Sequence, residues 1–338
     1  MELDYPFEQP DGEGTLREID DGLFWVRMPL PFPPRHINLW LLRDGDGWTV
    51  VDTGIGRPEV QAHWRRILDE VTGGRPVRRA IVTHFHPDHL GNAGWFARHH
   101  GSRLWMTQEE WLMGRLLAAD TSEATTASNV DFFRHCDLDE DNIFEFKARG
   151  WQYKNMVESI PRQFVRMYDG DAVHIGGDVW RVIVGRGHAP EHACLHSAAR
   201  RILISGDQIL PRITPIVGVP PMEPEANPLQ DFLDSLAKFE HLEADTLVLP
   251  AHGLPFRGLP GRLAATRVHH EERLETLRAA CAQPLTVRRA VDAMFDRALD
   301  PQNLRLASAE TLSHLNLLVA RGQVVREDGD GPWHFRSR

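Results

Sequence analysis

Three histidines and one aspartate lie within six consecutive residues: His84, Phe85, His86, Pro87, Asp88 and His89. Residues 80–83, just before this run, are apolar enough to predict a short buried strand. A strand end holds the start of the next loop rigidly, so His84 and His86, which alternate along the chain, face the same point. Asp88 and His89 come from the following turn and face a second point nearby. Imidazole and carboxylate are ligands that divalent transition metals prefer, so the run predicts a metal centre.

The later part of the chain offers three further ligand-type residues in similar surroundings. Each follows an apolar stretch that predicts a strand, and each lies on a turn that contains glycine: His188, Asp207 and His252. Strand ends along one edge of a sheet are where ligands gather in layered α/β folds. We therefore expect these three side chains to join the first run and to complete two metal sites.

Alternating strands and helices organise the chain up to about residue 260. Aromatic and β-branched runs, separated by proline and glycine turns, predict strands at 23–29, 37–43, 48–52, 80–83, 171–184, 201–205 and 246–250. Apolar periodicity predicts helices at 59–72, about 90–100 and 227–241. This order is typical of layered sheets with helices packed outside them. We assign residues 1–260 to one domain.

Residues 106–168 interrupt this pattern with few β-branched runs and many large apolar side chains. The aromatic and methionine residues of this insert include Trp111, Met113, Phe132, Phe133, Phe144, Phe146, Trp151, Tyr153, Met156 and Phe164. We expect helices with a polar middle at 120–129. Two interpretations stay open: the insert is a helical cap over a site, or its aromatic side chains pack it against the core, as apolar helix faces usually do.

The C-terminal part of the chain predicts a long charged helix and then two helices and a hairpin. The long helix is predicted at 261–281, the two helices at 285–297 and 308–321, and the hairpin strands at 323–326 and 333–336. Two helices followed by a two-stranded wing are typical of a winged-helix module. We therefore divide this part into a connector helix at 261–282 and a winged-helix-like domain at 283–338.

The N-terminal sequence, the cysteines and the net charge indicate the compartment in which the protein works and the partners that it can bind. The N-terminus is acidic and carries no apolar signal region, and no apolar run approaches the roughly 20 residues that cross a bilayer, so we expect a cytoplasmic protein outside the membrane. The cysteines are odd in number and far apart, which suits a reducing compartment: Cys136, Cys194 and Cys281. The formal net charge of −10 argues against polyanionic partners such as nucleic acid.

The ligand-type residues, taken in order, resemble the motif set of the metallo-β-lactamase superfamily: His84, His86, Asp88, His89, His188, Asp207 and His252. The turn that begins at Asp52 with Asp-Thr-Gly resembles the opening motif of the same family, and the resemblance covers about residues 20–255. It implies an α+β fold, an αββα sandwich of two sheets with helices outside.

The resemblance also implies a role for each residue of the set. The first metal ion would be bound by His84, His86 and His188. The second would be bound by Asp88, His89 and His252. Asp207 would bridge both ions, and Asp52 would hold the ligand loop through hydrogen bonds.

The activity that this resemblance implies is hydrolysis by a hydroxide that bridges two divalent ions. Zinc is the favoured metal, with iron and manganese as alternatives, because mixed histidine and aspartate ligands suit all three. The substrate would be a carbonyl compound: a thioester, an ester or a lactone. The residues expected to take part in catalysis are Asp88, His84, His86, His89 and Asp207, with Asp88 both binding metal and steering the proton of the nucleophile.

Several positions of this sequence differ from those of named branches of the family, and these differences restrict the class of substrate. Asp207 stands where class B1 β-lactamases carry cysteine, which argues against antibiotic hydrolysis, and His86 stands where flavodiiron proteins carry glutamate. Leu210 stands where quorum-quenching lactonases carry tyrosine, and the tail has no basic segment like that of glyoxalase II. We therefore expect a small-molecule acyl substrate whose apolar part lies under the cap at 106–168.

Two other functions stay open. The winged-helix tail resembles the β-lactamase-like protein 2 group, which implies a phosphodiesterase or endoribonuclease that binds RNA. The tail at 283–338 holds 8 arginines against 7 acidic residues, so its charge is close to neutral and disfavours nucleic acid. In a non-enzymatic alternative the metals are structural, but structural sites are usually closed and tetrahedral, unlike a set with an open bridging position.

Several residues and properties stay undecided at the level of sequence. His36 and His192 lie close enough to the motifs to contribute to the site or to be ordinary structural histidines. The winged tail and the apolar insert are compatible with a homodimer. We expect surface positions on helices for His99, His100, His269 and His270.

Overall fold

Two β-sheets pack face to face, and helices cover the outer face of each sheet. The structure is a computed structural model that describes residues 3–149 and 153–338. The arrangement is the αββα sandwich, within an α+β fold, that the sequence predicted.

The first sheet has seven strands that lie side by side in chain order. They are β1 (Thr15–Asp20), β2 (Leu23–Pro29), β3 (His36–Asp44), β4 (Gly47–Val51), β5 (Val77–Ile81), β6 (Arg103–Met106) and β7 (Val165–Arg166). The strands from β1 to β4 pair antiparallel, and those from β4 to β7 pair parallel. The sequence did not predict β1, β6 or β7, because β1 is largely polar and the other two have at most four residues.

The second sheet has five strands in the order β12, β11, β10, β9, β8. They are β8 (Ala172–Ile175), β9 (Asp178–Gly185), β10 (His192–Ser197), β11 (Ile202–Gly206) and β12 (Leu247–Pro250). Only β11 and β12 pair parallel; the other neighbours are antiparallel. The sequence did not predict β10, which is wholly buried although it contains two histidines and two other polar or sulfur-bearing residues.

Eight α-helices connect or flank these strands in the described residues up to β12. They are α1 (Pro58–Thr72), α2 (Pro87–Leu90), α3 (Ala93–His100), α4 (Gln108–Ala119), α5 (Glu123–His135), α6 (Glu140–Arg149), α7 (Tyr153–Met156) and α8 (Pro228–Leu236). Helix α1 begins with Pro58, because the first turn does not need its missing N–H, and ends at Gly73 in the left-handed conformation. The helix predicted at about 90–100 is divided into α2 and α3.

Apolar side chains fill the space between the sheets and under the helices. Trp25 and Trp40 stack between the two sheets with ring centroids 6.2 Å apart. On the outer face of the first sheet, Trp64 of α1 contacts Phe96 of α3 at 5.1 Å between centroids. Helix α8 covers the second sheet with Phe232, which belongs to the same buried cluster as strand residues of that sheet. The helices therefore hold the sandwich from both sides.

The insert at 106–168 uses much of its aromatic content for internal packing. Phe132 and Phe133 of α5 are buried, and the Phe132 ring lies 5.7 Å from that of Trp333 near the C-terminus. Trp111 of α4 stacks on Phe164 with centroids 4.7 Å apart. These side chains follow the packing interpretation. Trp151 and the side chain of Phe146 lie outside the described residues, and α5 begins at Glu123, inside the stretch predicted as polar.

The C-terminal region has the winged-helix arrangement that the sequence predicted. It comprises α9 (Leu259–Ala280), β13 (Leu285–Thr286), α10 (Val287–Met294), α11 (Pro301–Ala320), β14 (Val324–Glu327) and β15 (His334–Ser337). The strands form a small antiparallel sheet in the order β13, β15, β14. Helix α11 begins seven residues earlier than predicted, because Asp300 caps it and Pro301 starts its first turn.

The expected surface position of His270 is wrong. His270 is fully buried on α9, and its Nδ1 lies 3.1 Å from Nε2 of His314 on α11. The helix has only a weak apolar stripe in sequence because polar residues also face the interior there. The three cysteines are free and buried, and no helix among the described residues is both long and apolar enough to span a membrane.

Candidate metal centre

Seven ligand-type side chains meet at one edge of the sandwich because the strands that precede them end there. The loop after β5 carries His84, His86, Asp88 and His89. His188 follows β9, Asp207 directly follows β11 and His252 follows β12. All seven residues predicted from the sequence are therefore brought together, in two groups that share an edge.

The first group contains His84, His86, His188 and Asp207, whose candidate ligand atoms all lie within 4.8 Å of one another. Nε2 of His84 lies 2.9 Å from Nδ1 of His86 and 3.3 Å from Nε2 of His188. Oδ2 of Asp207 lies 3.4 Å from Nε2 of His188. Three ring nitrogens and one carboxylate oxygen thus face a common point.

The second group contains Asp88, His89 and His252, again within 4.8 Å of one another. Oδ2 of Asp88 lies 3.7 Å from Nε2 of His89 and 3.5 Å from Nε2 of His252. Asp207 also reaches this group: Oδ1 lies 3.5 Å from Nε2 of His252, and Oδ2 lies 3.5 Å from Nε2 of His89. Asp207 therefore lies between the two groups.

The ring nitrogens that face away from the centre are held by hydrogen bonds. Nδ1 of His252 donates to the His36 carbonyl at 3.0 Å, and Nδ1 of His188 donates to the Ile216 carbonyl at 2.7 Å. Nδ1 of His89 donates to Oδ2 of Asp52 at 2.8 Å. Because each anchored nitrogen carries a hydrogen, the other nitrogen of each ring presents its lone pair to the centre when the ring is neutral.

Asp52 links the start of the ligand loop to one of its histidines. Its carboxylate accepts from the backbone N–H of Thr83 at 2.8 Å and from Nδ1 of His89 at 2.8 Å. The hydroxyl of Thr83 donates to the same carboxylate and accepts from Nδ1 of His84, 3.0 Å away. Asp52 is buried and has a φ of 60°, a left-handed conformation that aspartate tolerates better than most residues. Its position is that expected for a residue holding the loop.

The structure gives His36 and His192 different positions around the centre. His192 is fully buried on β10, where its Nε2 accepts the backbone N–H of Asp207 at 3.1 Å. Its ring also stacks on His84 with centroids 4.7 Å apart. His36 supports His252 through its backbone carbonyl, whereas its own ring contacts the Pro34 carbonyl. Both residues therefore support ligand-type residues from behind.

Protonation states in the first group suit metal binding. Burial, together with the nearby His89, holds the pKa of His84 well below its usual range. Burial and the neighbouring His188 lower the pKa of His86 to about 3. Burial by itself would raise the pKa of Asp207, but the surrounding histidines hold it well below its usual range. Neutral imidazoles and an ionised carboxylate are the forms that bind metal ions.

The second group carries an excess of negative charge that a cation would compensate. Burial alone would lower the pKa of His89, but Asp52, Asp88 and Asp207 raise it well above its usual range. Nε2 of His89 and Oδ1 of Asp207 are nevertheless buried without a hydrogen-bond partner among the described residues. Buried polar atoms of this kind are costly unless a ligand satisfies them, so the residues present fit a bound metal ion.

The segment between β11 and α8 forms one side of the centre and is held by the C-terminal region. Nδ2 of Asn316 on α11 donates to the carbonyls of Pro224 and Ala226, and the Ala309 carbonyl accepts the backbone N–H of Val219. The same segment supplies the Ile216 carbonyl that anchors His188. The tail therefore supports the centre through hydrogen bonds to backbone groups of this segment. Such bonds cannot be predicted from the sequence pattern.

Sequence reasoning also missed Glu110, which lies at the start of α4. Its side chain is fully buried and its oxygens accept the backbone N–H groups of Phe85 and Glu191. Burial, opposed by these hydrogen bonds, raises the pKa of Glu110 to about 8. The only local signal is a Thr-x-x-Glu pattern beginning at Thr107, which normally indicates a helix-capping box.

A family model described as "Metallo-beta-lactamase superfamily" matches residues 32–252, more than half of the chain. The chain belongs to the metallo-β-lactamase superfamily. Members of this superfamily are typically hydrolases that use divalent metal ions. A second model, described as "Metallo-beta-lactamase-like, C-terminal domain", matches residues 274–338, from within α9 to the last residue.

Two solved structures share the fold over nearly the whole chain of this metallo-β-lactamase superfamily protein. A beta-lactamase domain protein from Burkholderia ambifaria is 44% identical, with a TM-score of 0.93, and the match covers 99% of this chain and 98% of that one. A metallo-beta-lactamase family protein from Thermus thermophilus is 29% identical, with a TM-score of 0.81 over 95% of this chain and 100% of that one.

A curated relative carries a named activity. Acyl-coenzyme A thioesterase MBLAC2 from Homo sapiens is 26% identical over 200 residues, which cover 57% of this chain. The chain spans 65% of the length of that relative.

Proposed function

We propose that this superfamily member binds two divalent metal ions, with zinc favoured, and hydrolyses an ester, lactone or thioester bond of a small acyl substrate. The observation that carries the proposal is the convergence of two ligand groups on Asp207. Two buried candidate ligand atoms at the centre, Nε2 of His89 and Oδ1 of Asp207, have no hydrogen-bond partner among the described residues. The ligands assigned to the first ion are His84, His86, His188 and Asp207, and those assigned to the second are Asp88, His89, His252 and Asp207.

The side chains around the centre have distinct tasks in this proposal. Bound divalent ions would lower the pKa of water toward neutrality and polarise the substrate oxygen. Asp207 joins the two groups, because its Oδ2 faces His188 of the first group and its Oδ1 faces His252 of the second. Burial by itself would raise the pKa of Asp88, but the neighbouring His89 and His252 lower it below its usual value. Asp88 is therefore ionised and able to accept the proton of the attacking water.

The acyl class of substrate is supported by a relative and by the surface beside the centre. The human relative is named as an acyl-coenzyme A thioesterase. Three large apolar side chains on the segment that anchors His188 are partly open to solvent: Ile213 at 57%, Ile216 at 41% and Met222 at 52% exposure. Because the aromatic side chains of the insert largely pack internally, this segment is the better candidate surface for an apolar acyl chain.

The contacts of the tail with the hydrolase domain support a packing role for the tail. We assign residues 1–260 to the hydrolase domain, 261–282 to the connector helix and 283–338 to the winged-helix-like domain. The contacts of Asn316 and Ala309 with the segment before α8 let the tail stabilise one wall of the centre. Neither contact requires nucleic acid.

The test of the proposed function combines metal analysis with a substrate panel. The purified protein would be assayed on an acyl-coenzyme A, an acyl-glutathione, a lactone, an aryl ester, bis-p-nitrophenyl phosphate and a short RNA. About two metal ions per chain, with turnover of the carbonyl substrates, would support the proposal. Turnover of only the phosphodiester or the RNA would replace it with phosphodiester hydrolysis, and protein that binds no metal would refute it.

Replacing Ile216 with serine is expected to change the preference for acyl length. Removing a large apolar side chain that a long acyl group covers costs about 1.4 kcal/mol when contact is partial, which is roughly tenfold in kcat/KM. The variant should lose roughly this factor on a decanoyl substrate and little on an acetyl substrate. Val268→Ser, at an exposed apolar position on α9, serves as the control. An equal loss on both substrates would contradict an acyl-binding role.

A further inference from the structure

The carboxyl group of Glu110 contacts two different ligand loops at once. Its Oε2 accepts the backbone N–H of Phe85 at 2.9 Å, and its Oε1 accepts the backbone N–H of Glu191 at 2.6 Å. Phe85 lies between His84 and His86, and Glu191 lies three residues after His188. One buried side chain therefore ties together the two loops that supply all the histidines of the first group.

The surrounding contacts hold the same two points. The hydroxyl of Thr107 donates to the Glu191 carbonyl at 2.8 Å, and the backbone N–H of Glu109 donates to the Glu191 carboxylate at 3.0 Å. On the other loop, the Tyr153 hydroxyl donates to the Phe85 carbonyl at 2.6 Å. Both the N–H and the carbonyl of Phe85 and of Glu191 are therefore fixed by this small set of side chains.

The start of α4 gives up its usual capping bonds to make these contacts. In a capping box the threonine side chain would bond the N–H three residues later, and the glutamate would bond back to the threonine N–H. Thr107 makes no such side-chain cap, and both it and Glu110 bond the ligand loops instead. Among the described residues, the charged neighbours that act on Glu110 are the acidic Glu191 and Glu109, and its oxygens bond backbone N–H groups. An apolar residue at this position would leave the backbone N–H groups of Phe85 and Glu191 without their acceptors, so the carboxyl group is what holds both loops.

We propose that Glu110 is a positioning residue that fixes the separation of His86 and His188 and thereby sets the affinity of the first metal site. Metal ligands must lie within a few tenths of an ångström of their ideal distances, so the spacing of two loops decides how well a site binds. Glu110 acts through the backbone of Phe85 and Glu191 and not as a metal ligand itself. The inference rests on the metal binding proposed above.

The decisive variant is Glu110→Gln, which keeps the size of the side chain. An amide has one acceptor oxygen, and its NH2 group would face one of the two backbone N–H groups, so only one of the two loop contacts survives. We expect the dissociation constant for zinc at the first site to rise by about tenfold, at the lower end of the effect of outer hydrogen-bond partners. Competition with a chromophoric chelator measures this, and the visible spectrum of the cobalt-substituted protein reports a changed ligand geometry.

A second buried glutamate provides the matched control. Glu310 on α11 is buried, its pKa is raised by burial, and it pairs with Arg273 away from the centre. Glu310→Gln should lower the thermal midpoint without changing zinc affinity or the cobalt spectrum. If Glu110→Gln does not fold, Thr107→Val removes only the bond to the Glu191 carbonyl and should weaken zinc binding in the same direction, by about threefold.

The outcomes separate this inference from the proposed function. Wild-type protein that binds zinc, together with a Glu110→Gln variant of equal affinity and unchanged spectrum, would overturn the inference and leave the proposed function intact. Equal weakening by Glu310→Gln would also overturn it, because general destabilisation would then explain the effect. Wild-type protein that binds no zinc would overturn both.

Discussion

Asp207→Ala is expected to lower kcat/KM by roughly a thousandfold or more and to reduce the metal content of the protein. Metal ions contribute several kcal/mol of transition-state stabilisation, and each 1.36 kcal/mol is a factor of ten in rate. Asp207 is the residue common to both groups, since its Oδ2 lies 3.4 Å from His188 and its Oδ1 lies 3.5 Å from His252. Its removal would therefore affect both ions at once.

The measurement for Asp207→Ala combines metal analysis with kcat/KM on whichever carbonyl substrate the panel identifies. Asp245→Asn is a suitable control, because Asp245 is an exposed aspartate paired with Arg201 outside the centre. Activity within tenfold of the wild type, with two ions still bound, would mean that Asp207 does not bridge the metals.

Asp52→Asn is expected to weaken metal binding at the second group by about 10–100-fold, the usual effect of losing a partner that orients a metal-binding histidine. Asparagine tolerates the left-handed backbone at this position, so the fold should persist. The amide would offer only one acceptor, whereas the carboxylate accepts from both Thr83 and His89. With its Nδ1 no longer anchored, His89 is free to carry its hydrogen on Nε2, which then has no lone pair for a metal.

Chelator competition on Asp52→Asn would test this directly, with Asp178→Asn as the control. Asp178 lies on β9 and forms an ion pair with Arg200, which lies in the turn between β10 and β11. A loss confined to one of two metal-binding steps is the expected pattern. Unchanged affinity in both steps would show that Asp52 supports the fold only.

Local patterns were sufficient to predict the strands β5, β9, β11 and β12 and the ligand-type residues that follow them. The strand at 23–29 and the helix at 59–72 agree with β2 and α1 to within a residue. Their apolar residues recur with the period of a strand or of a helix, and this period can be recognised in the sequence. Local patterns failed for β10, whose histidines and cysteine are buried for reasons that only its neighbours supply. They failed similarly for His270, which faces His314 of a helix more than 40 residues away in sequence.

The sequence by itself determined the seven side chains that converge on the centre, because strand ends and turn glycines are local properties, and the family resemblance carried by those residues implied the two-sheet fold. The tertiary structure alone decided how that centre is held: Glu110 ties two loops together, His192 accepts the backbone of Asp207, and Asn316 of the tail supports the segment that anchors His188. Each of these contacts joins a side chain to a backbone group from another part of the chain. Backbone groups are the same at every residue, so no sequence pattern marks which of them a distant side chain will bind.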